Sequence, residues 1–559
     1  MGHSGAVDRL QGHDRGAAWQ DGAAGPVEIL APNSGPYVLP SNPRPSTRPG
    51  LWPQAVRRCV AALGCSLIAA ITCAQPPAFD DALRDRIDAF VESERQASGI
   101  PGIALAIVQL GSPAHLRGFG DDGRGRAISA DTPFPIGSLT KSFTALLVRQ
   151  AIDAGQLDAD APVQRVLPWF RVADAEASAR ITLQHLLNQT SGFSHADGVA
   201  PLVQWSKASV EELARGLATV SLNRPVGERF EYSNLNFVLL GAVLQTVTGR
   251  SWQAQVQAQA FQPLQMTHSH TDHDAGRQAG MTAVHRMWFG RPVAHRVELL
   301  SGFAPAGSLV SSASDMSRYL AMLLAEGAGP VGRVVSQQGV AQLWAPAAPS
   351  RRFKLGAADL EFRYGEGWLI GPFGAAADAR WHQGALAAFE AWMVLLPDTQ
   401  QAVVLLIDAK SDLPFNGLDA VTSRLPIGVV NLLSGEPPPK GPSLQQAYLP
   451  FNTASAIAVV VLIALSGWAA RTRRVAGSVV LLGVAIAIVI SLWLYGLNAR
   501  MLSAFAPDVA WVVAAALILL CLPAALRAGA WVRRAFCGNG QGGNGQGGNG
   551  QGGSRRRPP

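Results

Sequence analysis

Charge is scarce in this sequence: Asp, Glu, Lys and Arg make up 15% of its 559 residues, against roughly a quarter in ordinary soluble domains. With 48% hydrophobic residues, that scarcity excludes disorder throughout and points to segments of the chain in lipid. The net charge of +7 is not gathered on a face of the middle section, so a nucleic-acid partner is not expected. Cysteine is confined to Cys59, Cys65 and Cys73 near the start and Cys521 and Cys537 near the end. The long middle section therefore has no disulfide, thiolate nucleophile or zinc-thiolate site of its own. Lysine is rare as well, at Lys141, Lys207, Lys354, Lys410 and Lys440, so a lysine at a chemically meaningful spacing stands out. No G-x-S-x-G elbow is present, which argues against an α/β-hydrolase.

Composition divides the chain. Residues 1–55, rich in Gly, Pro, Ser and Asn, read as a disordered or misassigned extension. Residues 56–75 have the charged start, short apolar middle and small-residue end of a secretory signal or short anchor, with cleavage after Ala74. Residues 76–435 read as one mixed domain. Phe79, Leu83, Ile87 and Phe90 recur at helical spacing, and Ile103 to Val108 follows as a strand. Near the other end Phe389 to Leu396 and Ala402 to Ile407 flank Pro397-Asp398-Thr399-Gln400 as an antiparallel hairpin. Most periodic segments between are helical. The fold expected is α/β (α+β): an antiparallel sheet flanked by helices, with a helical subdomain. A Pro-rich linker is assigned to 436–452, three transmembrane helices to 453–527 and a low-complexity basic tail to 528–559. The apolar runs Ala454–Ala470, Val475–Leu497 and Val509–Leu526 each approach the ~20 residues that cross a bilayer. Arg471, Arg473, Arg474, Arg527, Arg533 and Arg534 belong on the cytoplasmic side, which places the large domain outside. The lipid bilayer is thus an expected partner, and a multi-pass protein of a bacterial-type cytoplasmic membrane the expected location.

Three stretches carry chemistry. In Pro135-Ile136-Gly137-Ser138-Leu139-Thr140-Lys141, Ser138 opens a helix and Lys141 shares its face, within reach of the serine hydroxyl. A serine is a poor nucleophile until a neighbour takes its proton, and a desolvated lysine or a phenolate held beside positive charge can take it. Alone, S-x-x-K reads first as a capping serine followed by a surface lysine. In Phe230-Glu231-Tyr232-Ser233-Asn234, Tyr232 offers a phenol for proton transfer and Asn234 an amide able to hold both the lysine and a substrate carbonyl. In Trp381-His382-Gln383-Gly384-Ala385, Gly384 lets a substrate backbone approach, and the Ala385 amide joins that of Ser138 as an oxyanion donor.

These motifs, in this order, resemble the serine beta-lactamase and penicillin-binding-protein superfamily, in its class C-like branch with D-aminopeptidases, D,D-peptidases and esterases. Supporting stretches are Ile181 to Leu187 with Thr190-Ser191-Gly192, Pro305 to Leu309 with Ser314-Asp315-Met316, and Tyr364-Gly365-Glu366-Gly367-Trp368. The resemblance implies a beta-lactamase/transpeptidase-like fold and acylation of Ser138, with Lys141 and Tyr232 sharing the proton work. It makes Asn234, His382, Gly384 and Ala385 substrate-binding, and requires no metal or organic cofactor. A small amide or ester is the implied substrate, with peptidoglycan-derived peptides the natural candidates. His382-Gln383-Gly384 stands where the superfamily has Lys-Thr-Gly, which removes a permanent cation, so efficient beta-lactam hydrolysis is not expected. A histidine there is expected to titrate near neutrality and to lose any grip on a carboxylate as pH rises.

Two other readings compete. His268-Ser269-His270-Thr271-Asp272-His273 matches the H-x-H-x-D-H pattern of zinc-dependent hydrolases. The third reading is a catalytically silent, membrane-tethered binding module, against which intact Ser138, Lys141, Tyr232 and Asn234 argue.

Overall fold

The computed structural model describes residues 79–537 apart from 205–206, 298–300, 346–350, 356–357, 387, 412–418, 473–474, 495–498, 500–501 and 504–505. The extension expected at 1–55, the signal at 56–75, Arg473, Arg474 and the tail from 538 onward lie outside the described residues.

The chain enters through helix α1 (Asp81–Ser98), whose Asp80 side chain accepts from the Leu83 amide at 2.9 Å and whose end is capped by left-handed Gly99. Strands β1 (Gly102–Gln109) and β2 (His115–Gly120) follow, then helices α2 (Thr140–Asp153) and α3 (Asn234–Thr248). A hairpin, β3 (Val284–Trp288) and β4 (Arg291–His295), precedes helix α4 (Ala313–Leu324). Six strands close the domain: β5 (Arg351–Leu355), β6 (Ala358–Tyr364), β7 (Leu369–Phe373), β8 (Ala376–Leu386), β9 (Phe389–Leu396) and β10 (Gln401–Ile407). Eight strands form one antiparallel sheet in the order β2-β1-β10-β9-β8-β7-β6-β5. This is the mixed fold with a central antiparallel sheet expected from the sequence.

The central strands are buried on both faces, which is why they read as unbroken apolar runs. Their side chains alternate between two cores. Ala104, Ala106, Met393, Val404 and Leu406 join the core built with α2, α3 and α4. Ile103, Leu105, Trp392, Val403 and Leu405 pack on the other face against Leu83, Ile87 and Val91 of α1. Helix α5 (Asp419–Leu433) adds Leu425 and Val429 to that second core.

Regular structure resumes earlier than the expected linker allows. Helix α6 (Leu444–Arg471) begins within 436–452, because Ser443 and Gln446 form a reciprocal capping box. Its first turns belong to the domain built on the eight-stranded sheet: Leu444 and Tyr448 are buried in the second core. The Tyr448 hydroxyl donates to the Met287 carbonyl at 3.3 Å, Asn452 Nδ2 donates to Phe289 O at 3.0 Å, and Phe289 stacks on Phe451 at 5.9 Å. Helices α7 (Ala476–Leu494) and α8 (Pro507–Cys537) complete the C-terminal group, and Trp511 of α8 contacts Trp288 at 6.4 Å. Among the described residues, α6 and residues Pro507–Arg534 of α8 are long and apolar enough to cross a membrane, and α7 contributes a shorter apolar stretch.

Candidate active site

Ser138 sits in the middle of a single 3-10 turn, Gly137–Leu139, that leads directly into α2. Lys141, in the first turn of α2, is fully buried, and its Nζ lies 3.1 Å from Ser138 Oγ. Two further oxygens meet the same amine: Asn234 Oδ1 at 2.8 Å and the Ala306 carbonyl at 2.7 Å. Both are acceptors only. A neutral amine donates its two N–H bonds to them and turns its lone pair to the serine hydroxyl. Burial favours that state, pushing the Lys141 pKa well below the ordinary lysine value.

The Ala306 carbonyl is a backbone atom, so no reading of side-chain types could assign it. Its segment is tied to α2 by Thr144 Oγ1 donating to Pro305 O at 2.7 Å and by the Leu309 amide donating to Thr140 Oγ1 at 3.2 Å. From the other side Arg149 of α2 pairs bidentately with buried Glu366, whose Oε1 also accepts from Gln184 Nε2 at 2.9 Å. The helix bearing the Ser-Lys pair is thereby held against Tyr364–Trp368.

Tyr232 lines the same cavity as Ser138, and its ring centroid lies 5.0 Å from Lys141 Nζ. Desolvation outweighs the opposing influence of the Ser138 hydroxyl and raises the phenol above the ordinary tyrosine pKa, so the resting side chain is protonated. Its loop is set by Gln189, whose carbonyl accepts from the Glu231 amide at 2.9 Å and whose Oε1 accepts from the Ser233 amide at 2.9 Å. Asn234 opens α3 and spends its other end on the protein, donating from Nδ2 to the Gly198 carbonyl at 3.0 Å. It positions the lysine; the expected contact with a substrate carbonyl competes with that bond.

The third motif lies on β8. Ser138, Tyr232, His382 and Ala385 all line one cavity of about 870 Å³. The strand runs against the serine turn so closely that a Cβ on Gly384 would lie 2.0 Å from the Ile136 carbonyl oxygen. One on Gly137 would lie 2.8 Å from the Ala385 nitrogen. Gly137 also has φ +52°, a left-handed conformation that suits glycine. The Ala385 amide therefore stands beside the turn that carries Ser138.

His382 departs from expectation. Its residue is 3% exposed, its Nδ1–H donates to the Gln383 carbonyl at 2.7 Å, and Nε2 accepts from the Tyr364 hydroxyl at 3.3 Å. Burial, with the nearby Lys141, pulls its pKa to about 3. The imidazole is neutral across the physiological range, and the titration near neutrality anticipated from residue type does not occur. Tyr364, its partner, was visible only as part of a motif.

The His268–His273 stretch does not converge. His268 Nδ1 lies 3.7 Å from Asp131 and 3.8 Å from Asp315. Asp272 instead caps a short helix by accepting from the Ala275 amide at 2.8 Å, and His273 is buried within that helix. Among the described residues no group of three or more His, Cys, Asp or Glu side chains is arranged to hold a metal.

Comparison with known proteins agrees with this architecture. The Beta-lactamase family profile matches residues 84–425. Penicillin-binding protein 4 of Amycolatopsis lactamdurans is 30% identical over 301 residues, which cover 51% of this chain and 74% of that protein. Protein flp of Staphylococcus aureus is 26% identical over 239 residues, 42% of this chain and 48% of the relative. The chain thus spans about half the length of the flp proteins it matches. Among solved structures, the octameric penicillin-binding protein homologue from Pyrococcus abyssi aligns with a TM-score of 0.53 at 22% identity, covering 64% of this chain and 78% of that one. A class C beta-lactamase aligns at 0.52 and 17% identity, covering 66% and 100%. The chain belongs to the beta-lactamase family.

Proposed function

We propose that this protein is a membrane-anchored serine hydrolase that cleaves amide or ester bonds outside the cytoplasm through an acyl-enzyme on Ser138. The observation that carries this reading is the coordination of Lys141: a buried amine with two carbonyl acceptors and one serine hydroxyl around it. Lys141 takes the Ser138 proton as Oγ attacks the substrate carbonyl. Tyr232, a phenol at rest, gives its proton to the leaving group, and the phenolate left behind is reprotonated with the proton that Lys141 took from Ser138. The Ser138 and Ala385 amides hold the developing oxyanion, and the partial positive charge at the start of α2 adds to them. Deacylation reverses the roles, with water in place of the leaving group. In this scheme the apolar helices α6 to α8 span the membrane and hold the domain on its outer side, and peptidoglycan-derived peptides are the natural substrates.

A serine-reactive fluorophosphonate tests the assignment. The purified full chain is expected to label stoichiometrically, and Ser138→Ala is expected to lose the label while keeping its melting temperature. Undiminished labelling of Ser138→Ala excludes Ser138 as the nucleophile.

A further inference from the structure

With His382 neutral and both its nitrogens engaged, the third motif supplies no cation to the cavity. Positive charge enters instead from the loop before Tyr232. Arg224, Arg229 and Glu231 all line the cavity. Arg224 is spent on Glu231, with Nε 3.4 Å from Oε2, and that carboxylate also accepts from Asn223 Nδ2 at 3.0 Å and from the His195 amide at 3.1 Å. Arg229 is left over. Its one acidic neighbour is Glu228, the adjacent residue, 4.0 Å away with both side chains 50% exposed. At that separation and exposure the attraction is weak and screened. Among the described lining residues two guanidiniums face one carboxylate, and the second, only weakly paired with Glu228 outside the lining, keeps its donors available. Beside it the wall is apolar: Phe230, Phe362 and Leu369 line the same cavity, with Phe230 packed edge-on against Phe362 at 6.2 Å.

We infer that Arg229 is the anion-recognising residue of this site, and that the substrate is an ester or amide joining a bulky apolar group to an anionic group such as a carboxylate. A guanidinium presents a planar fork to a carboxylate, and among the described lining residues Arg229 is the cation free to favour an anion. The inference rests on the reading of Ser138 as the acylated residue and adds to it the class of molecule delivered there. It also moves anion recognition from the third motif, where a lysine would have stood, to the loop before Tyr232.

Two matched pairs of 4-nitrophenyl-type esters test it on the full detergent-solubilised chain. One pair differs by a terminal carboxylate on the acyl chain, the other by a carboxylate on the leaving group. For at least one pair the ratio of kcat/KM, anionic over neutral, is expected to exceed one and to fall as salt is added. Arg229→Gln is expected to lower that ratio about tenfold, and Arg229→Lys to restore part of it. A ratio that Arg229→Gln leaves unchanged in both pairs overturns the assignment. Fluorophosphonate labelling of the same preparations separates the two levels: labelled enzyme with an unchanged ratio sinks Arg229 alone, whereas absent labelling sinks the acyl-enzyme reading and this one with it.

Discussion

Lys141→Met is expected to lower kcat/KM by about a thousandfold, within the range for loss of a general base, and to change how stability depends on pH. The activity loss follows from geometry: the amine is the base that meets Ser138 Oγ at 3.1 Å. Lys141→Arg should not rescue it, since a guanidinium cannot give up its proton at any working pH. The stability effect follows from burial. The charged form is disfavoured in the folded protein, so the folded pKa lies below the unfolded one. Between the two, the unfolded chain binds more protons than the folded one, and stability rises with pH. The wild type should therefore gain stability relative to Lys141→Met as pH rises from the depressed folded value toward the ordinary lysine pKa of about 10.4. The limiting slope is about 1.4 kcal/mol per pH unit for one proton. Urea denaturation at several pH values measures it, and parallel curves for the two proteins would show that Lys141 stays charged in the fold.

Gly384→Ala carries the second large effect. A methyl group at 2.0 Å from the Ile136 oxygen cannot be accommodated without moving β8 away from the serine turn. The nearest atoms, from Ile136 and Leu139, are all backbone, so none yields by a rotamer change. The Ala385 amide moves with the strand, and its distance from Ser138 grows. Loss of one oxyanion donor costs about 10²–10³ in kcat, and overpacking of this kind costs about 1–3 kcal/mol of stability. The expected result is a folded protein with a lowered melting point and kcat down by two to three orders of magnitude, read from a thermal melt and an ester assay on one preparation. Full activity in Gly384→Ala would mean that the close approach has no part in catalysis.

These expectations rest on parts of the molecule that differ in how plainly the sequence showed them. The hairpin β9–β10 was legible because both faces are buried, so the strands are continuous apolar runs around a turn that ends in left-handed Gln400. The serine turn was legible because S-x-x-K spacing is local and a helix converts it directly into proximity. The hairpin β3–β4 was not. Its two turn residues, Phe289 and Gly290, both have positive φ, the type I′ pattern, but phenylalanine stands where the usual signal is asparagine or aspartate. That phenylalanine packs on Phe451, and the contact joins the domain to the start of α6. The start of α6 carried a readable signal in Ser443 and Gln446, outweighed by the prolines just before them. His382 shows a different limit. Residue type gives an intrinsic pKa near neutrality, whereas the pKa in place depends on Tyr364, Lys141 and the surrounding protein, brought together only by the sheet and the helix facing it.

The most direct measurement is to quench the full chain with acid during turnover of a slowly hydrolysed ester and to map the acyl group by peptide mass spectrometry. One acyl group is expected, on the peptide containing Ser138, accumulating in wild type and absent from Lys141→Met. An acyl group on any other residue, or turnover with none on the protein, would contradict it.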